Sequence, residues 1–217
     1  MAEKIRGVGG FLRQAYRTLR GEGVAEYEEK KSRFIGAARP AESEVEAMEF
    51  LAEVRRRNKD ASHNVFAYLC GEGGLSKRYG DDGEPRGTAG PPVLEVIEKS
   101  GLSDVVVVVT RYFGGTLLGA AGLIRSYGKA ASFAVNAAGI VERTLARQMV
   151  FLVEYPQYDI VRNYLEKGGY AISDVKYGVD TELTVIVPFS DADSLNARVT
   201  ELTAGSVVID YAEDIYI

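Results

Sequence analysis

Val105-Val106-Val107-Val108-Val109-Thr110-Arg111-Tyr112-Phe113-Gly114-Gly115 is the run from which the rest of the chain can be laid out. Five consecutive valines show no alternation with polar residues, so residues 105–110 read as a strand buried on both faces. The strand runs into an arginine, two aromatic residues and a glycine pair. The spacing then predicts a helix from about Gly119 to Ala138, with Gly139 in the usual C-cap position behind it. Upstream, His63–Cys70 reads as another strand, broken by Gly71, Gly73 and Gly74. A helix over about Pro91–Lys99 opens with proline in its first turn, where the missing N–H costs nothing. Ser43 and Glu46 form a capping box that starts a further helix, with Val45, Met48, Leu51 and Val54 as its expected buried stripe. Arg55, Arg56, Arg57 and Lys59 close that helix, where cations complement its dipole; a phosphate-binding patch is the second reading of them.

The flanks complete the layout. Residues 24–38 read as two extended pieces around Lys30-Lys31-Ser32. Residues 8–19 place Val8, Phe11, Leu12, Ala15, Tyr16 and Leu19 at helical spacing, a possible amphipathic helix ending at Gly21. The last third has its own rhythm: strand 145–154, helix 157–167, strands 170–177 and 182–188, helix 191–203 and strand 207–216. That β-α-β-β-α-β order is the ferredoxin-like split βαβ arrangement. The expected architecture is α+β in two domains, 1–139 (with 1–15 as an N-terminal extension) and 140–217.

Length and composition agree with this. The chain has 217 residues, enough for two domains of roughly 100 residues each. Hydrophobic residues make up 46% and charged residues 26%, as in ordinary soluble proteins. No apolar run approaches the ~20 residues of a membrane span, and no apolar h-region marks a signal peptide. One cysteine, Cys70, excludes an internal disulfide, and one histidine, His63, excludes sites built on several imidazoles. A reduced, cytoplasmic protein is expected. The net charge of −5 is uneven: residues 1–40 sum to +4, residues 41–150 to −1 and residues 151–217 to −8. An anionic partner should therefore meet the first two thirds, and the acidic last third is a poor nucleic-acid surface.

Chemistry concentrates in two places. The loop Asp81-Asp82-Gly83-Glu84-Pro85-Arg86-Gly87-Thr88-Ala89-Gly90-Pro91-Pro92 is polar, yet stiffened by its prolines. Asp81, Asp82 and Glu84 could supply hard oxygen ligands to Mg²⁺; an acidic turn salt-bridged to Arg111 or Arg125 is an equal reading. The second place is the glycine turn after residue 110. Gly114 and Gly119 have the glycine spacing of a Walker A loop, but Ala120 and Ala121 stand where Lys and Ser/Thr are required. The sequence thus argues against a P-loop nucleotide triphosphatase. What remains are backbone N–H groups at Gly114 and Gly115 near a helix start, with Arg111 and Arg125 close in sequence to hold an anion such as an RNA phosphate. Tyr112 and Phe113 add rings for base stacking. Cys70 and His63 lie seven apart on one strand, hence on opposite faces, which argues against a nucleophile–base dyad. His63, beside Ser62 at a strand entrance, reads first as a structural histidine.

The segments KKSRFIGAA (Lys30–Ala38), ASHNVFAYL (Ala61–Leu69), DDGEPRGTAGPPVLEVI (Asp81–Ile97) and VVVVVTRYFGGTLLGAAGLIRSY (Val105–Tyr127) together resemble the YigZ/IMPACT family. Leu117, Ala121, Ser126 and Val65 depart from its commoner residues. The resemblance implies a first domain similar to the β-α-β fold of domain IV of elongation factor G, and a second similar to the ferredoxin-like domain V of that factor. It further implies a link to translation control, since eukaryotic relatives interfere with the activator of a translation-initiation kinase.

Residues and resemblance lead to a translation-associated regulator that binds ribosomal RNA or a translation protein through the first domain. No cofactor, DNA or membrane is implied. The expected ligand-binding residues are Asp81, Asp82, Glu84, Arg86, Thr88, Arg111, Tyr112, Gly114, Gly115 and Arg125. The alternative is a metal-assisted enzyme acting on a phosphorylated or nucleotide substrate, with Asp81, Asp82 and Glu84 holding Mg²⁺ and His63 as general base.

Overall fold

A computed structural model describes residues 3–4, 13–71 and 75–217. The chain divides into two compact units, Tyr16–Glu142 and, in a second unit, Met1–Ala15 with Arg143–Ile217.

The N-terminal unit is built on an antiparallel sheet of β3 (Gly23–Glu29), β4 (Ser32–Pro40), β7 (Val105–Tyr112), β5 (His63–Cys70) and β6 (Ser76–Gly80), adjacent in that order. The valine run forms the central strand, and its alternation explains its composition. Val105, Val107 and Val109 enter the core under α2 (Gly90–Lys99) and α3 (Gly119–Ala138), beside Val93, Ile97, Leu123 and Tyr127. Val106 and Val108 enter the opposite core under α1 (Glu44–Arg57), beside Phe50, Leu51 and Val54. A strand between two apolar layers can spare no position for a polar side chain. The same alternation puts Val65 and Ala67 on the α2/α3 side and Tyr68 and Cys70 on the α1 side, so His63 and Cys70 do lie on opposite faces.

Ser43 caps α1, its hydroxyl accepting from Glu46 N at 3.2 Å. Glu46 in turn accepts from Glu42 N at 2.8 Å, one residue earlier than a reciprocal capping box would have it. The buried stripe is Ala47, Phe50, Leu51 and Val54, whereas Val45 is 67% exposed and Met48 also faces solvent. The helix is rotated from the expected stripe because Phe50, the larger apolar surface, takes the core. Residues 15–19 are a strand, β2 (Ala15–Leu19), and not part of a helix; the remainder of the helix expected over residues 8–19 lies outside the described residues except at residues 13–14. A backbone bond from Arg20 N to Gly139 O follows β2, and Gly139 takes a φ of 73° at the end of α3.

The second unit shows the expected topology. β8 (Ile140–Val153), α4 (Tyr155–Lys167), β9 (Ala171–Tyr177), β10 (Thr181–Pro188), α5 (Ala192–Leu202) and β11 (Val208–Tyr216) follow one another, with sheet neighbours β11-β8-β10-β9, all antiparallel. This is the split βαβ order. Met149, Phe151 and Val153 of β8 and Leu183, Val185 and Val187 of β10 bury one sheet face against Val161, Leu165, Leu195 and Val199 of the helices. The strand β1 (Glu3–Lys4), expected as part of an extension of the first domain, pairs instead with β11. No helix among the described residues is long and apolar enough to cross a membrane.

Candidate functional site

At one end of the N-terminal unit three segments meet: the loop 81–90, the C-terminal end of β7 with the glycine turn after it, and the β3–β4 hairpin. Arg111 ties them together. Five residues past Val106 in the strand alternation, its side chain falls on the α2/α3 side and donates to Glu84 Oε1 at 2.6 Å. A second guanidinium nitrogen donates to Ser32 Oγ at 3.3 Å, and that hydroxyl also accepts from Gly114 N at 3.2 Å. Loop, strand end, hairpin and glycine turn are thereby one bonded assembly, and of the two readings of the acidic loop it is the turn salt-bridged to Arg111 that forms. The character of the assembly differs from the expectation. The side chains of Arg111 and Glu84 are only 6% and 4% exposed, so Arg111 is a buried structural cation and no open phosphate clamp.

Glu84 also accepts from Tyr127 Oη at 2.7 Å. Burial first, and then the Glu84 charge, push the Tyr127 phenol far above its ordinary pKa, so it stays a donor. The Tyr127 ring stands edge-on to Phe34 at 5.3 Å, and the Arg111 guanidinium lies 5.5 Å from both the Phe34 and Phe113 ring centres. Arg111 Nε is buried without a hydrogen-bond partner. Neither Ser32 nor Tyr127 was anticipated. Ser32 follows the lysine pair in the hairpin and Tyr127 sits mid-helix; only a buried arginine on the neighbouring strand, which needs more than one serine or one carboxylate, could have drawn attention to them.

The other two loop carboxylates are occupied separately. Asp81 accepts from Gly87 N (2.9 Å), Ala89 N (3.1 Å) and Gly90 N (2.8 Å), which folds the loop and caps the start of α2. Asp82, at a φ of 47°, binds Arg55 at 2.7 Å and accepts from Asn64 N at 2.6 Å. Thr88 is buried and donates to Pro85 O at 2.7 Å, while Arg86 is exposed. The Mg²⁺ alternative therefore loses its donor set: the three carboxylates turn to different partners, and among the described residues no three His, Cys, Asp or Glu side chains are grouped to hold a metal. The salt-bridged turn is what forms, with Arg55 and Arg111 as its cations and Arg125 left exposed on α3. His63 donates from Nδ1 to Asp82 O at 2.8 Å, with Nε2 3.9 Å from Glu84 Oε1, a positional role at the strand entrance.

Tyr112 alternates to the α1 side, where its hydroxyl donates to Asn58 at the end of α1 (3.0 Å) and its ring lies under Arg33 at 5.3 Å. It is half-buried and engaged, so it is no free stacking platform. What the end of the unit presents outward is the hairpin. Lys30 and Lys31 form its two-residue loop with φ of 47° and 67°, the left-handed pair of a type I′ turn, usually built with Asn and Gly. Gly114 passes so close that a Cβ there would run into the Lys31 carbonyl. The turn is thus held from behind, and Lys30 and Lys31 are both exposed; so are Phe113 and Leu117 (84%) in the segment around the glycine turn, where Gly115 takes a φ of 81°.

Comparison with known proteins agrees with this architecture. Residues 30–135 match the model of the Impact N-terminal domain, and residues 152–206 match a domain of unknown function, DUF1949. The chain is 38% identical over 203 residues to the IMPACT family member YvyE of Bacillus subtilis, covering 94% of each chain. It is 32% identical over 180 residues to the IMPACT family member YigZ of Escherichia coli, covering 82% of this chain and 88% of that one. A crystal structure described as a hypothetical protein superposes with a TM-score of 0.60 at 28% identity, over 93% of this chain and 99% of the other. A loop that ties Glu84 to Arg111, a glycine turn behind a hairpin and a split βαβ unit thus coincide with matches along nearly the whole sequence: the chain belongs to the IMPACT family.

Proposed function

We propose that this chain is a translation-associated regulator that contacts ribosomal RNA through the end of its N-terminal unit. Membership of the IMPACT family supports the translation-related role. The observation that carries the RNA contact is the Lys30–Lys31 turn: two lysines held in left-handed backbone by the close approach of Gly114, with both charges exposed. Lysines present phosphate contacts well as point charges, and a pre-formed turn spares the entropy of ordering them. Exposed Phe113, Arg86 and Arg125 belong to the same unit and add a ring and two further cations. The buried Arg111–Glu84–Tyr127 network supports the end from inside and does not itself touch the partner.

Co-sedimentation with ribosomes tests this. Binding is expected to weaken steeply with salt, and Lys30→Asn with Lys31→Asn, which keeps residues tolerant of positive φ, should flatten the logarithmic salt slope by about 1–2 units. Co-sedimentation equal to that of the unaltered protein at every salt concentration would refute the RNA contact. Persistence after nuclease digestion would move the reading to a translation protein.

A further inference from the structure

We infer that the sheet face of the C-terminal unit opposite α4 and α5 docks, at its exposed Leu152–Val208 end, a lysine- or arginine-rich protein segment bearing apolar side chains. One face of that sheet is closed by α4 and α5. On the other face the register aligns Val208, Leu152, Glu182 and Lys176 in one cross-strand row, and Asp210, Val150, Thr184 and Asp174 in the next. Leu152 and Val208 are both exposed, an apolar pair at the end of that face where β8 finishes and β11 begins, while Thr184 in the next row is buried. Beside them a groove of about 270 Å³ is lined by Leu152, Lys176, Tyr177, Val179, Asp180 and Glu182 with Gly178.

The rim is aromatic and rigid. Tyr158 and Tyr177 hydroxyls meet at 3.1 Å with their rings 5.9 Å apart, and Tyr155 donates to Gly178 O at 2.9 Å, pinning the β9–β10 turn. Tyr177 is 65% and Val179 94% exposed. Tyr177 in the groove wall, held by Tyr158 and next to exposed Leu152 and Val179, has the composition of a protein interface. Stacked bases could use the same rings, but the charges decide against them. Asp174, Asp180, Glu182 and Asp210 stand on this face and its rim against Lys176, which already bonds Glu182 at 2.8 Å, and Arg162, which neighbours the Tyr158–Tyr177 pair. A polyphosphate would be repelled, whereas a basic segment meets complementary charge and can seat a leucine or valine in the groove.

This inference concerns a different unit from the RNA contact, and either can fail alone. The probe is a fluorescein-labelled twelve-residue peptide of alternating lysine and leucine, followed by anisotropy against the full chain. Asp174→Lys with Asp210→Lys should weaken it on the order of tenfold or more, and Val179→Asp, at an exposed tip that leaves the core untouched, should weaken it as well. Glu166→Lys with Glu201→Lys, an equal charge reversal on the helix side, should change it much less. The inference is overturned if the peptide does not bind, if the helix-side reversal weakens it as much, if Val179→Asp has no effect, or if an oligouridylate binds the same face in preference.

Discussion

Replacing Glu84 by alanine should remove most of the stability margin of the N-terminal unit. Both partners of the Glu84–Arg111 pair are buried, with a contact of 2.6 Å. The substitution leaves a guanidinium enclosed by Phe34, Phe113 and the sheet, with Ser32 as its remaining side-chain acceptor and Nε already without a partner. Breaking such a pair from one side costs about 3–5 kcal/mol, and the Tyr127 hydroxyl, stripped of its acceptor, adds about 1–3 kcal/mol. Against a typical total of about 5–15 kcal/mol, that brings the unit near unfolding. Urea titration followed by far-UV circular dichroism should show a transition separating to lower urea while the C-terminal unit keeps its own. The double variant Glu84→Leu with Arg111→Met, which removes both charges and keeps the volume apolar, should recover more than half of the loss. A loss below about 1 kcal/mol for the single variant, the value of a solvated surface pair, would refute the account of a desolvated network.

Two further outcomes follow from the same end of the molecule and its opposite core. Gly114→Ala drives a methyl group into the Lys31 backbone, so it should destabilise by about 1–3 kcal/mol and lower the melting temperature, whereas Gly115→Ala is strained by its φ of 81° but meets open space. Burial pushes the Cys70 thiol up, so the folded protein should resist a thiol reagent at pH 8 and react fully in denaturant. Because the folded value lies above the unfolded one of about 8.5, this contribution to stability is complete below that pH and is lost as pH rises toward the folded value; rapid labelling of the native thiol would contradict the burial.

Periodicity made most of the fold legible. The valine run, the His63–Cys70 strand and the helix Gly119–Ala138 all carry patterns that no alternative element fits, and their bounds agree with the structure to within two residues. Two readings failed for related reasons. Ala15, Tyr16 and Leu19 fit a helical spacing, yet residues 15–19 pair with β8 more than a hundred residues away, a partnership invisible to local pattern. Val45 and Met48 fit a stripe as well as Ala47 and Phe50 do, and only the shape of the opposing core chooses between them. At the site, the meeting of the acidic loop with Arg111 and the glycine turn was legible because unusual residues cluster there. Burial was not. A buried arginine and an exposed one look alike in sequence, and the distinction rests on Tyr127 and Ser32 arriving from elements whose own patterns give no hint of polar duty.

The alternation of β7 continues past its valines: Arg111 points where Val105, Val107 and Val109 point, and Tyr112 where Val106 and Val108 do. Five identical side chains leave that strand free to slide by one place against its neighbours without offending any apolar contact. The guanidinium takes that freedom away. A slip of one residue would turn it to the α1 side, into the place of Thr110 or Tyr112, away from Glu84 and Ser32. The charge at the strand's end therefore acts as the notch on an otherwise featureless key, admitting a single alignment of the central strand and, through it, of every strand laid alongside.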